Sequence, residues 1–407
     1  MNFFTGVYLF LFFFGFFFIF IFLILQYKYS KLLNWNPELK RYPFISFLVP
    51  AFNEEDSLEG TVKCLLNLRY PKNKMEIILI NDGSTDKTLE IARKLEKNHS
   101  CVRILNKKNS GKANSLNQGL KMVRGELFAV VDADSYPDKN ALMKMIGFFE
   151  EKNVAAVTSR VLVKNKDNLL CRYQVLDYSI IAWTRKLLDF VDSVYVTNGP
   201  LSIYKTGIVK KIGGFDPTNL TEDIELTWHL LDKGYQTRMS YSAIVYTTVP
   251  VSLKVWIKQR VRWNLGGIQT VQKYWKTMFK KGAFGYFVVP YVSASFALAL
   301  LGFLLFLRYF WVKGVYHLVS IYYIFFGYNP LKYSDFSLSL TLLLLFGLLF
   351  LLSAIVYYKT GFKRSQTGNQ NILNILAYSF IYRTLYTIPL LIALYKLGRN
   401  DIRWYTK

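Results

Sequence analysis

Residues 126–137 read "ELFAVVDADSYP". Leu127 to Val131 form an unbroken apolar run that ends in two carboxylates, Asp132 and Asp134, separated by the small Ala133. A short apolar run bounded by polar residues marks a strand covered on both faces. In open α/β sheets ligands bind beyond the carboxyl ends of the strands, so this stretch points both to a fold class and to a place to look. Carboxylates grouped at such a tip suit Mg2+ or Mn2+, whose remaining ligands are water and phosphate oxygens. A turn that merely ends a strand uses the same residues, and D-x-D alone does not separate the two.

Working outward, four more strand-like runs occur at 44–50 "FISFLVP", 75–82 "MEIILIND", 102–106 "VRILN" and 154–163 "VAAVTSRVLV". Helical patterns lie between them, at 84–98 "STDKTLEIARKLEKN" and 111–123 "GKANSLNQGLKMV". This alternation predicts an α/β domain with a mostly parallel sheet across residues 42–250.

The remaining strand tips each carry polar groups. "VPAFNEED" at 49–56 reads as a turn and helix start holding Asn53 and Glu55. In "INDGSTD" at 80–86, Asp82 stands at the tip, Gly83 permits a tight turn, and Ser84 or Asp86 can cap the next helix. That turn-and-cap reading is the favoured one locally, and the alternative is that Asp82 accepts hydrogen bonds from a nucleoside. "NKKNSGKANS" at 106–115 fails the phosphate-loop spacing, because Asn106 and Ala113 stand where glycine and Ser/Thr are required. Lys112 reads either as a counter-charge for a diphosphate at a helix start or as a solvated lysine.

Two later stretches complete the set. In "NLTEDIELTWHLLDKGYQ" at 219–236, the Thr221 hydroxyl is a good N-cap. Glu222 and Asp223 then sit at the positive end of the helix dipole, and Leu226, Leu230 and Leu231 give a buried face. The acidic pair serves either to start the helix or as a working group. In "VWIKQRVRWNLGG" at 255–267, Val255, Ile257, Val261 and Leu265 form an apolar stripe, with Lys258, Arg260 and Arg262 toward headgroups. Trp256 and Trp263 suit a membrane interface or sugar stacking.

The chain has 407 residues, 52% of them hydrophobic, and 51 basic against 27 acidic side chains give a net charge of +24. Basic residues are scattered or crowd the ends of apolar runs, which fits apposition to membrane lipids. No RNA-module signature with interleaved aromatics accompanies them, which argues against nucleic acid. Cys64, Cys101 and Cys171 offer neither a disulfide framework nor a metal motif.

Residues 3–25 are uncharged and exceed the roughly 20 apolar residues that span a bilayer. Lacking a basic n-region and a small-residue cleavage site, they read as an anchor that stays. Lys28 and Lys31 follow, placing the next segment in the cytosol. Further apolar spans are expected at 285–307, 338–358 and 372–395, and a shorter run at 315–328 is a span, a re-entrant piece or an interfacial helix. Four or five membrane helices result, with five preferred because it brings Lys396, Arg399, Arg403 and Lys407 inside. Arg383, costly in lipid, is expected to face protein or a wet cavity. The expected division is an N-terminal helix at 1–27, a cytosolic domain at 28–250, interfacial helices at 251–281 and a membrane region at 282–407.

Taken in order, Asp82 in "NDGS", Asp132 and Asp134 in "DAD", "TED" at 221–223 and "QRVRW" at 259–263 resemble membrane-integrated family-2 glycosyltransferases. That group includes cellulose, chitin, hyaluronan and poly-N-acetylglucosamine synthases. The resemblance implies a Rossmann-like GT-A domain plus an α-helical transmembrane region. It implies inverting transfer from a nucleotide sugar, a UDP-sugar foremost, to a polysaccharide or a lipid acceptor. In that family's terms Asp82 contacts the nucleoside, and Asn53, Glu55 and Lys112 are expected among the substrate-binding residues. Asp132 and Asp134 handle the diphosphate and Mg2+ or Mn2+. Asp223 is the general base, with Glu222 supporting it. Gln259, Arg260, Arg262 and Trp263 close over donor and acceptor, and Gly199 and Pro200 in "TNGPLSIY" at 197–204 belong to the acceptor side.

Overall fold

A computed structural model of the protein describes residues 3–326, 338–365, 367 and 370–399. After the apolar helix α1 (Phe3–Tyr29) come β1 (Ile45–Ala51), α2 (Leu58–Leu66), β2 (Met75–Asp82), α3 (Thr88–Asn98), β3 (Val102–Lys107) and α4 (Lys112–Met122). Then follow β4 (Leu127–Val130), β5 (Ser135–Pro137), α5 (Met143–Ile146), β6 (Val154–Val163) and α6 (Leu169–Asp189). β7 (Ser202–Lys205), α7 (Thr206–Lys211), α8 (Glu222–Asp232), β8 (Gln236–Thr247) and α9 (Leu253–Tyr274) complete the domain. The five expected strands and both expected helices are present.

Eight strands form one sheet in the order β3-β2-β1-β4-β7-β6-β8-β5. β3, β2, β1 and β4 are parallel, while β7 runs antiparallel to both β4 and β6, so the sheet is mixed toward one side. Strand alternation explains the continuous apolar runs. Phe47, Val49, Ile77 and Leu79 face α2, α3 and α5 on one side. Leu48, Ile78 and Ile80 face α4, α7 and α8 on the other. Both faces are covered, as a buried parallel sheet requires. The pairing of Ala51 with Asn81 aligns the ends of β1 and β2, which puts their following loops side by side.

Three further helices follow: α10 (Phe284–Phe325), α11 (Leu338–Arg364) and α12 (Ile372–Gly398), the last including a π-turn. Together with α1 they give four helices long and apolar enough to cross a membrane, among the described residues, rather than the preferred five. Residues 315–325 are not a separate span. They continue α10, which no proline interrupts after Pro290. Arg403 and Lys407 lie outside the described residues.

The domain and the apolar helices share a core. Phe22 of α1, Trp183 of α6, Trp256 of α9, Phe362 of α11 and Tyr378 and Tyr382 of α12 are buried together. Trp183 Nε1 donates to Gln26 Oε1 at 2.6 Å, and Ser365 Oγ donates to the carbonyl of Ser179 at 3.0 Å. Helix α12 follows the domain along its length. Tyr378 donates to Asp177 of α6, and Ala393 packs with Leu220, Val261 and Leu265. Arg383 meets Asp177 at 3.5 Å, so it turns toward protein.

Candidate active site

The loops after β1 and β2 are fastened to each other. Asn53, in the left-handed region at φ 55°, accepts the Thr85 N–H at 2.9 Å on its side-chain oxygen. Glu55 accepts the Lys87 N–H at 3.0 Å, and Asp86 accepts the N–H groups of Glu55 and Thr88. Ser84 does not cap α3; its hydroxyl accepts the Asn53 N–H instead. In this structure Asn53 and Glu55 tie the loops after β1 and β2 together. Asp82 accepts the N–H groups of Ser110 and Gly111 at 2.9 and 3.0 Å and pairs with Lys107. These bonds curl the loop so that α4 begins at Lys112. A recess of about 440 Å³ opens there, lined by residues 109–114 and Pro217.

Lys112 is the hub of the site. Its Nζ lies 2.6 Å from Asp132 Oδ1 and 2.8 Å from Glu222 Oε1, joining the β4 tip to the head of α8. Burial alone would lower its pKa, but Asp132, Glu222 and Asp223 hold it above the usual lysine range. It is a paired ammonium in an acidic pocket and not a solvated lysine. Gly199 closes the cluster from the loop before β7. A Cβ there would fall 2.6 Å from Asp132 Oδ2 and 2.9 Å from Lys112 Nζ, so a larger residue would have to displace one of these side chains. Pro200 follows at the start of the turn into β7. The loop is fixed by Asn198, which donates to the Ser159 carbonyl at 3.1 Å and accepts from Arg185.

The acidic pair divides into two states. Burial works to raise the Glu222 pKa, yet Lys112 and Arg262 outweigh it and hold the carboxyl below its usual range. Asp223 moves the other way: burial, and then the charge of Glu222, push it up to about 6. The dipole of α8 does not keep Asp223 strongly ionised, because burial and a like charge outweigh it. The expected hydroxyl cap is also absent. Thr221 Oγ donates to Asn219 Oδ1 at 3.1 Å instead.

Helix α9 builds this loop from outside. Arg262 donates to the Leu220 carbonyl at 2.9 Å, and Gln269 accepts the Leu220 N–H at 3.0 Å. Asn219 bonds Thr270 at 2.9 Å, and Gly266 packs on Thr221. Lys273 and Tyr274 both donate to the buried Glu225 at 2.7 Å. Gly266, Gln269, Glu225, Lys273, Asn198 and Arg185 were not anticipated. The paired Gly266-Gly267 inside a helical pattern was the one signal of close approach.

The face of α9 differs from expectation in two respects. Val255 is exposed and Trp256 is buried, so the inward stripe runs through Trp256, Arg260, Val261 and Leu265. Arg260 does not reach toward headgroups or toward Lys112. It is 1% exposed and lies 3.6 Å from the buried carboxylate of Asp177. Its guanidinium stacks over Trp263 at 3.9 Å and donates to Gln259 at 3.2 Å.

Asp132 and Asp134 share a turn closed by the Ser135 N–H on the Asp132 carbonyl at 3.0 Å. Among the described residues no group of three or more His, Cys, Asp or Glu side chains could hold a metal. Two carboxylates on one tip nevertheless fit a hard divalent cation that takes its other ligands from diphosphate and water. The cationic Lys112 already bound to Asp132 shows that this tip attracts positive charge.

Residues 46–213 match the glycosyl transferase family 2 profile. The chain is 33% identical over 258 residues to a poly-beta-1,6-N-acetyl-D-glucosamine synthase of Staphylococcus epidermidis, covering 62% of each. It is 32% identical over 249 residues to the enzyme of that name from Staphylococcus aureus strain MSSA476, covering 61% of this chain and 60% of the relative. The aligned region thus spans less than two thirds of these relatives. A mannosyltransferase from Pyrobaculum calidifontis, solved with GDP-Man and Mn2+, superposes with a TM-score of 0.60 at 19% identity over 98% of this chain and 99% of that one. That likeness concerns the fold. Lys112, Asp132 and Gly199 fall within residues 46–213, the part that matches the glycosyl transferase family 2 profile, on a GT-A-like sheet joined to apolar helices.

Proposed function

We propose that the protein is an inverting glycosyltransferase that moves a sugar from a nucleotide sugar, a UDP-sugar foremost, to a growing polysaccharide. The observation that carries this reading is the meeting of Lys112, Asp132, Gly199, Glu222 and Asp223 beyond the carboxyl end of β4. Inversion is a single displacement. The acceptor oxygen bonds the anomeric carbon as the carbon–oxygen bond to the diphosphate breaks, and that electron pair leaves with the nucleoside diphosphate.

Asp223 takes the acceptor proton. A base whose pKa is about 6 is better matched to neutral pH than an ordinary aspartate. Lys112 offers positive charge at the start of α4, where a diphosphate would be received. Asp132 and Asp134 are the residues that would hold Mg2+ or Mn2+, which when bound supplies further charge neutralisation on the diphosphate. Asp82, through the loop it organises, shapes the nucleoside side.

The membrane setting has charge support. Lys28 ends α1, and Lys363 with Arg364 end α11, where the adjoining Ser365 bonds the domain at Ser179. Basic ends beside the domain favour a cytosolic catalytic face on a multi-pass membrane protein. The test is a donor screen with Mg2+ or Mn2+ that reads nucleoside diphosphate release, followed by product sizing. A ladder supports chain synthesis and a single lipid-soluble product supports one addition to a lipid. Absence of release with every nucleotide sugar would overturn the reading.

A further inference from the structure

Asp177 of α6 is fully buried and lies outside the cluster around Lys112. It gathers groups from two other helices. Tyr378 donates to it at 3.0 Å, Tyr386 donates to its other oxygen, and Arg383 approaches to 3.5 Å, all from α12. From α9, Arg260 approaches to 3.6 Å. Burying a carboxylate is costly unless cations and donors surround it. Here the compensation comes wholly from helices that must be correctly docked.

Arg260 is enclosed in turn. Its guanidinium lies 3.9 Å from the Trp263 ring, 5.3 Å from Tyr386 and 5.6 Å from Trp256. The side chain spends one donor on Gln259, so Arg260 touches both outer members of the 259–263 segment. Its Nε has no hydrogen-bond partner, so rings and the Asp177 charge hold it rather than a full set of bonds. A planar cation stacked on an indole fixes that ring's orientation.

We propose that Asp177 and Arg260 form a positioning relay through which α12 sets the orientation of Trp263 and Gln259 at the acceptor side of the site. This rests on the glycosyltransferase reading for the word acceptor, while the relay itself concerns only α12, α6 and α9. Arg260 is thus a positioning residue, acting through Trp263 without touching substrate. A shift of α12 along the domain surface would move Tyr386 and Arg383, re-aim Asp177, and release or re-seat the guanidinium under the indole.

The test uses full-length protein labelled with 5-fluorotryptophan, with the Trp263 resonance assigned by its loss in Trp263→Phe. Tyr386→Phe removes one bond to Asp177, and Arg260→Lys keeps the charge without the planar stack; Asp177→Asn is the harsher third variant. Both mild variants are expected to shift or broaden the Trp263 fluorine signal, with Trp35 and Trp275 unmoved. They should raise acceptor KM roughly tenfold while donor KM stays within about twofold. A Trp263 signal unchanged in both variants, or donor and acceptor KM rising together, overturns the relay. If wild-type protein turns over no nucleotide sugar, the functional reading fails, and the fluorine spectra still decide the relay.

Discussion

Gly266 of α9 lies directly on the side chain of Thr221, so a Cβ at that position would collide with the hydroxyl. Replacing a helical glycine by alanine ordinarily stabilises by about 1 kcal/mol. Here the added methyl must push α9 away from the loop that carries Asp223. Gly266→Ala is expected to lower turnover by about 10²-fold, the scale of a small misplacement of catalytic groups. It should not raise the melting temperature. A variant that is both more stable and fully active would show that α9 does not set the position of Asp223.

Asp223 makes a paired prediction. Its pKa of about 6 in the folded protein exceeds the ordinary value of 3.8, so the charged form is the disfavoured one in the fold. The favourable contribution of the protonated acid is complete below the unfolded pKa and is lost as pH rises through about 6. Asp223→Asn removes that charge. It should raise stability at pH 7.5, on the order of 1–2 kcal/mol, with the gap closing toward pH 4. The same variant should lose nearly all transfer. In wild type, kcat/KM should fall below pH about 6 as the base is protonated. Melting curves across pH and a rate profile check both halves, and an Asn variant with full turnover would remove the assignment.

Much of this was legible in the sequence because periodicity and strand-tip chemistry are local. In β2 the alternation of Ile77 and Leu79 with Ile78 and Ile80 already implied two covered faces. Asp132 and Asp134 followed an apolar run and fell where such sheets bind ligands. β8 was less evident, since "QTRMSYSAIVYT" mixes polar and apolar residues and its pairing with β6 is interrupted by two register shifts. Arg260 and Arg262 look interchangeable in "QRVRW", yet two residues on a helix point to nearly opposite sides. Which one turns inward depends on Asp177, which only the tertiary packing brings near. The pKa of Asp223 was likewise set by burial, which the helix-start pattern does not encode.

Variants of Lys112 test the proposed donor role apart from folding. It balances two carboxylates, one of them in the buried Glu222, so its removal leaves charges without a counter-ion. Lys112→Met should destabilise by about 3 kcal/mol and weaken nucleotide-sugar binding. Lys112→Arg should restore much of the stability without restoring donor affinity, since a fork replaces a point charge. Unfolding curves and calorimetric titration with donor check this. Equal binding by wild type and Lys112→Met would place the diphosphate elsewhere.

Gly199 tests whether the loop before β7 and the Asp132 tip work as one unit. Alanine there would set a carbon 2.6 Å from Asp132 Oδ2, a separation that side chains do not sustain. The loop cannot readily yield, because Asn198 is tied to Ser159 and Thr158 while Ser202 accommodates the turn by bonding the Asn198 carbonyl at 2.7 Å. Asp132 is the freer partner, so it should swing and break its 2.6 Å pair with Lys112. Gly199→Ala is therefore expected to retain the fold, lose about 10²-fold in kcat, and require more Mg2+ or Mn2+ for half-maximal rate. The metal titration is the deciding measurement. An unchanged metal requirement with lowered kcat would mean that Gly199 acts on the acceptor and not through Asp132.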